Sequence, residues 1–490
     1  MKYLNDAGGR FKLPLKSDTG KTLCTLLWGD PLQEIGREGS GAAERVKVRA
    51  RRRTGWVPAS AVSDSGLLEI YVIDVGQGDG VLMRTPHDDA WHMIDAGIRA
   101  AEQMTRKGAA NFVRWKFIDD LRRERVTLAN MIVTHPDADH YGGMVDLLAG
   151  ALPDGRNFGI DVDRFWHCGI GRFEDGDKLG ALRADTRSAP LPNTGFNLKP
   201  EGKFIVELLD GKTHFGRPKR PFASDFDGLA RLVGKVPKKV SSLSQADGWL
   251  PGYAPAPGAA AIRVLGPVVE KLAGGGKGLR WLGSESVTRN GHSVVLRVDY
   301  GKARVLLTGD LNTPSQRLLL SVHAAEEFNA DVSKGCHHGS DDIDLRFVRA
   351  MAARATVISS GDNEDYAHPR PRILGASARY GRDSRDLDGE LMPPLLYSTE
   401  LARSVGLDFA AHTRTVAEPR VEFKPEQLEA DFDASPTGSY RRLSWLPMAT
   451  DLVYGLVNVR TDGERILCAT MKEGSSDFDL QVFQAGVDPA

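Results

Sequence analysis

The stretch Thr134-His135-Pro136-Asp137-Ala138-Asp139-His140-Tyr141-Gly142-Gly143 constrains this chain more than any other. It follows the apolar run Met131-Ile132-Val133, which reads as a short buried strand, and it leads into Met144-Val145-Asp146-Leu147-Leu148, which reads as a helix start. Two histidines and two aspartates thus fall within six residues at a strand-to-helix junction. A loop there can fold back so that His135 and Asp137 grip one cation while Asp139 and His140 grip another. The competing reading is a helix cap at Asp137 or Asp139. A cap takes one such residue, not four, and a spaced His/carboxylate cluster is costly to hold together without a cation.

The chain is long enough, at 490 residues, for two or three domains and a well-buried core. Its 64 basic residues balance 65 acidic ones, so any nucleic-acid binding must come from a local patch rather than a global field. Cys24, Cys168, Cys336 and Cys468 are scattered without a Cys-x-x-Cys pair, the pattern of reduced thiols in a cytoplasmic protein. Residues 1–8 lack the apolar centre of a signal peptide, and no apolar run reaches membrane-spanning length. We therefore expect no membrane association.

Residues 1–66 read as a small all-β barrel, with the apolar runs Thr22–Trp28 and Val46–Arg49 separated by turn signals such as Gly29-Asp30-Pro31. The closing Gly55-Trp56-Val57-Pro58 resembles the end of bacterial Src-homology-3-like domains. Trp28 and Trp56 are expected in the barrel core, the alternative being an aromatic groove for a protein partner. The run Lys47, Arg49, Arg51, Arg52 and Arg53 reads as a solvated strand and turn that can also meet phosphates.

From Leu67 the pattern changes to buried strands. Leu68–Val75 runs into Gly76-Gln77-Gly78-Asp79-Gly80, and a later strand ends in Ile94-Asp95-Ala96-Gly97. Further on come Asn290-Gly291-His292-Ser293, then the strand Ala303–Leu307 with Thr308-Gly309-Asp310, and then His337-His338-Gly339-Ser340. The series ends with Ser359-Ser360-Gly361, Asn363 and Tyr366-Ala367-His368-Pro369.

Together these motifs resemble, in order, those of the metallo-β-lactamase fold in the form found in the soluble domain of ComEC-type DNA-uptake proteins. Asp137 stands where the general His-x-His-x-Asp-His signature has its second His. The resemblance implies an α/β fold, an αββα sandwich over residues 67–490 following the small barrel, with insertions near 170–285 and 403–450. It implies two divalent metal ions, Zn²⁺ or Mn²⁺ or Mg²⁺, with the oxygen ligand at Asp137 favouring the harder cations. His135 and Asp137 would hold the first ion; Asp139, His140 and His338 the second; Asp310 would bridge them. Asn290 and His292 compete for a third-ligand slot. Asp95, and Asp79 if it faces the same cleft, would support the ligands by hydrogen bonds. Asp139, His337 and His368 would carry the chemistry around a metal-activated water, His337 facing substrate or water and His368 acting as an acid or oxyanion stabiliser. The roles of His337 and His338 can be exchanged.

The activity implied is phosphodiester hydrolysis, on nucleic acid or nucleotides. A non-nucleic-acid ester, a cyclic nucleotide, or a binding protein with a disused metal site are the alternatives. The membrane channel of DNA-uptake proteins has no counterpart in this sequence, so import is not the expected role. Lys212, Arg217, Lys219, Arg220, Lys235, Lys238 and Lys239 within the insertion read as solvated surface or as a phosphate track. A final β-hairpin is expected around Asp462-Gly463.

Overall fold

The computed structural model describes residues 1–185 except 7 and 104, 202–361 except 274, 368–399, 455–471 and 477–486, with the backbone of short strands between 404 and 442. Asn363, Tyr366 and most of the expected 403–450 excursion lie outside the described residues.

Two mixed sheets pack face to face. The first runs in the order Lys239–Ser242, Gly159–His167, Arg125–Ile132, Ala90–Ala96, Gly80–Thr85, Leu68–Val72, Val457–Thr461, Arg465–Met471, Phe478–Gln484. The second runs Ala261–Gly266, Val295–Tyr300, Ala303–Leu307, Val332–Lys334, Ala355–Ile358, Leu395–Ser398. Period-two alternation explains the layering. Leu68, Ile70 and Val72 point into the cluster between the sheets, where they meet Ile262, Val264, Leu296 and Val305. Tyr71, one residue out of step, faces the opposite way. On that outer face Met144, Leu147 and Leu148 of helix Ala138–Ala149 pack with Phe226 and Leu229 of helix Ser224–Val233. The outer face of the second sheet is covered by Leu318, Phe347 and Ile373 from helices Thr313–Val322, Leu345–Met351 and Pro371–Tyr380.

Four strands of the first sheet are mutually parallel, from Ala90–Ala96 out to Lys239–Ser242. So are Ala303–Leu307, Val332–Lys334 and Ala355–Ile358 in the second. Their carboxyl ends open at the same edge of the sandwich, where loops can converge. The expected last hairpin forms, and its first strand also joins the first sheet beside Leu68–Val72. Residues 170–285 hold a four-stranded sheet of their own, but Lys239–Ser242 and Ala261–Gly266 belong to the two main sheets. Lys212 donates to the carbonyls of Lys235 and Pro237, Arg220 pairs with Glu207, and Lys238 pairs with Asp163.

The N-terminal unit is a seven-stranded antiparallel arrangement. Neither tryptophan lies in its central cluster, which Leu15, Leu26, Val46 and Val48 fill. Trp28 is buried in the seam with the sandwich, against Phe11, Leu67, Leu467 and Phe478. Trp56 is half-buried on the outer sheet face, where its Nε1 donates to Asp18 at 2.7 Å and the Arg45 guanidinium lies 4.4 Å from its ring. The packing differs from expectation because the large indole at Trp28 seals the joint between units. Across that joint Arg460 donates to Asp30 at 2.8 Å and to the Trp28 carbonyl at 2.6 Å. Arg51, from the basic run, reaches the other Asp30 oxygen at 2.7 Å.

Candidate metal centre

The side chains of the centre gather at the carboxyl ends of strands, on the last strand residues, the loops that follow or the first turn of the next helix. At the end of Ala90–Ala96 the register shifts between Ile94 and Ala96, and Asp95 adopts φ 52°. This bulge turns the Asp95 carboxylate sideways, where it accepts the Thr134 N–H at 2.7 Å and hydroxyl at 2.6 Å. Its second oxygen lies 2.8 Å from His140 Nδ1. Helix Ala138–Ala149 sits directly on this loop, because a Cβ at Gly143 would run into the Ala96 carbonyl oxygen.

Asp137 occupies the N-cap position of that helix yet makes no side-chain capping bond. Its carboxylate faces the site: Oδ2 is 3.6 Å from His135 Nε2, and Oδ1 forms an ion pair with Arg289. Asp310 follows strand Ala303–Leu307 and is likewise no cap, since Asn312 caps the next helix by accepting the Ser315 N–H. The Asp310 backbone N–H donates to Ser293 Oγ at 3.0 Å. His337 and His338 both take left-handed backbone, φ 48° and 54°, at a cost of about 1–2 kcal/mol per residue. That twist sends the two rings apart, and such strain is characteristic of functional loops.

The rings converge as follows. His338 Nε2 lies 3.2 Å from His140 Nε2, and each is close to Asp310 Oδ2, at 3.0 and 3.2 Å. Asp139 stands 3.6 Å from His338 Nε2 and 3.9 Å from His140 Nε2. Nitrogens bound at about 2.0–2.1 Å to one tetrahedral ion would be roughly 3.3 Å apart, so this lobe already has the spacing of a coordination shell. Atoms of Asp79, His140, Asp310 and His338 lie within 4.8 Å of one another, the only such group among the described residues. Asp79 meets His338 at Nδ1, 3.1 Å away, on the side opposite Nε2. Its other oxygen is held by the buried ammonium of Lys334.

His135 brings the other lobe. Its Nε2 is 3.9 Å from Asp310 Oδ2 and, although buried, has no hydrogen-bond partner. Asn290, oriented to satisfy its neighbours, donates its amide to Asp137 Oδ2 at 3.0 Å. His292 is not brought to the centre: it is buried with Nε2 against the Arg280 carbonyl at 2.7 Å, and burial pushes its pKa down to about 4. His337 is 28% exposed against 3% for His338, which puts His338 in the ligand cluster and His337 on its open side. The His337 and His368 rings are 5.9 Å apart.

The electrostatics favour a cation. Asp79, Asp95, Asp137, Asp139 and Asp310 gather at the centre, where Lys334 pairs with Asp79 and Arg289 with Asp137, and so many carboxylates close together are costly unless neutralised. Burial alone would raise Asp310 and lower His140 and His338. Their mutual attraction outweighs it, holding Asp310 well below the carboxylate range and both imidazoles well above theirs. Burial pushes Asp137 up too, but His135 and Arg289 hold it far below its ordinary value. The orphaned His135 Nε2 and Asp310 Oδ1 fit a metal ion.

Sequence reading missed Lys334, Arg289 and Arg172, whose guanidinium is 4.0 Å from Asp137 and 2.6 Å from Asp225. A lysine closing an otherwise buried strand ahead of the paired histidines was the one available signal.

Comparison with known proteins agrees with this geometry. The profile of the Metallo-beta-lactamase superfamily matches residues 73–153, the span holding Asp79, Asp95 and the His135–His140 loop. The chain is 30% identical over 97 residues to ComE operon protein 3 of Bacillus subtilis (strain 168), and 32% identical over 98 residues to Competence protein ComA of Neisseria gonorrhoeae. Each match covers 20% of this chain but only 12% and 14% of those longer proteins. Among solved structures, Tm1679, a metal-dependent hydrolase of the beta-lactamase superfamily, aligns over 66% of this chain and 98% of its own, at 14% identity and TM-score 0.30. YhfI from Bacillus subtilis aligns over 59% and 85%, at 11% and TM-score 0.27. Profile and layered sheets agree on a metallo-β-lactamase fold, with a buried Asp/His cluster able to hold metal.

Proposed function

We propose that this protein is a metal-dependent phosphodiesterase that cleaves nucleic acid or nucleotides. The observation that carries the reading is the convergence of His140 Nε2, His338 Nε2 and Asp310 Oδ2 within 3.0–3.2 Å of one another. Divalent ions held by these residues would supply Lewis-acid activation of a water and of a phosphate oxygen. The residues do the rest. Asp95 and Asp79 fix the rings of His140 and His338 through Nδ1, so that Nε2 of each keeps its lone pair for the ion. Asp310 is placed between the His135 lobe and the His338 lobe. His337, on the open side, and the buried His368, its ring 5.9 Å from that of His337, can donate hydrogen bonds to a phosphate oxygen or to the leaving group. Burial lowers the His337 pKa, and this favours a neutral imidazole there.

Likeness to DNA-uptake proteins puts nucleic acid first among phosphodiesters, by analogy. The all-β N-terminal unit fits a Src-homology-3-like barrel that docks a protein partner. No helix among the described residues is long and apolar enough to cross a membrane.

The test is hydrolysis of bis-p-nitrophenyl phosphate and of labelled single- and double-stranded DNA with Mn²⁺, Zn²⁺ or Mg²⁺ added. Cleavage that needs the cation and disappears in Asp139→Ala and His338→Ala is expected. A metal-loaded protein that cleaves none of these substrates overturns the phosphodiesterase reading.

A further inference from the structure

We infer that the two lobes of this centre bind divalent cations with unequal strength, and that Arg289 is the residue that makes the His135 lobe the weak one. The inference rests on the site being a metal centre, but not on its substrate.

In the His338 lobe, two imidazoles and the shared Asp310 converge, with Asp139 beside them. Each imidazole is backed at Nδ1 by a buried carboxylate, Asp95 for His140 and Asp79 for His338. Such backing raises ligand basicity.

The His135 lobe has a single imidazole, with no carboxylate behind it. The Nδ1 atom of His135 faces only the hydroxyls of Thr134 and Ser293, at 3.1 and 3.3 Å. The candidate third ligands add no charge and no imidazole to it: Asn290 gives its amide N–H to Asp137, which leaves it only a neutral carbonyl oxygen, and His292 turns to Arg280. Its charged and imidazole ligands are His135, Asp137 and a share of Asp310. The charge of Asp137 is itself matched by the Arg289 guanidinium, with Arg172 4.0 Å from the same oxygen. An ion entering this lobe therefore meets a partly neutralised carboxylate and a fixed positive charge behind it, both of which weaken its binding.

The full-length chain, stripped with chelator and reloaded with Mn²⁺, is passed through a desalting column and its ions per chain are counted. Stepwise affinities are read in parallel by calorimetric titration. The wild type should keep one ion and bind the second at least about tenfold more weakly. Arg289→Met should tighten the second step about tenfold or more and leave the first unchanged, whereas Arg289→Lys, which retains the cation, should resemble the wild type. Circular dichroism establishes that both variants fold; if Arg289→Met does not, Arg289→Gln takes its place. Two tightly held ions in the wild type would overturn the inference. So would a second step that ignores loss of the Arg289 charge, or an Arg289→Lys protein that behaves like Arg289→Met. Absence of nuclease activity would leave these readings untouched, so the two proposals fail separately.

Discussion

The Nε2 atoms of His140 and His338 stand 3.2 Å apart although 198 positions separate the residues in the chain. One arrives on the first turn of a helix over the first sheet, the other on a left-handed turn beyond a strand of the second. The centre thus bridges the two halves of the sandwich, and binding there is tied to how those halves pack.

Asp95→Asn removes the carboxylate that orients His140. Metal affinity should fall by about 10–100-fold, read by calorimetric titration with Mn²⁺ or Zn²⁺, while the fold is retained because an amide oxygen can still accept from the Thr134 N–H. An unchanged affinity would mean that Asp95 supports only the loop.

Metal removal should lower thermal stability. An ion at 100 times its Kd adds about 2.7 kcal/mol, so chelator should shift the melting transition down, and restoring the cation should bring it back. A His338→Ala protein should show little of this shift.

Gly143→Ala places a methyl group against the Ala96 carbonyl oxygen, where the helix rests on the Asp95 loop. Overpacking of this kind costs about 1–3 kcal/mol. Urea unfolding should show that loss together with weakened metal binding, since the Asp95 loop must move. Gly228→Ala, at a helical glycine whose added Cβ meets nothing within 4 Å, is the control that should do neither.

Arg460→Met breaks the buried pair with Asp30 and leaves that carboxylate to Arg51 alone at the joint between the N-terminal unit and the sandwich. A loss of about 1.5–3 kcal/mol is expected, that of a charge-assisted hydrogen bond rather than of an orphaned charge. Because Trp28 and Arg460 tie the two units together, the transition followed by tryptophan fluorescence should move with that followed by circular dichroism.

Asp30 also sets an acid limit. Burial would raise its pKa, but Arg51 and Arg460 hold it well below the ordinary 3.8. A depressed carboxylate contributes stability that is complete above the unfolded value and is lost as the pH falls from 3.8 toward the folded one. Acid unfolding should therefore steepen below about pH 4, and Asp30→Asn, already destabilised at neutral pH, should show a shallower acid dependence.

The metal loop, the order of the motifs and the alternation of Leu68, Ile70 and Val72 were legible because they are local. Ligand spacing within six residues and a period-two apolar pattern are properties of consecutive side chains. From them follow a candidate metal centre and the layered class of fold. The tertiary structure decided what depends on partners far off in the chain: that Asp137 answers to Arg289 rather than to its own helix, that Asp79 stands behind His338 on Lys334, that His292 turns away to Arg280, and that Trp28 seals a seam. The reason is physical. A side chain's type is written at its own position, but the charge and burial that determine its role come from whatever the folded sheets bring against it.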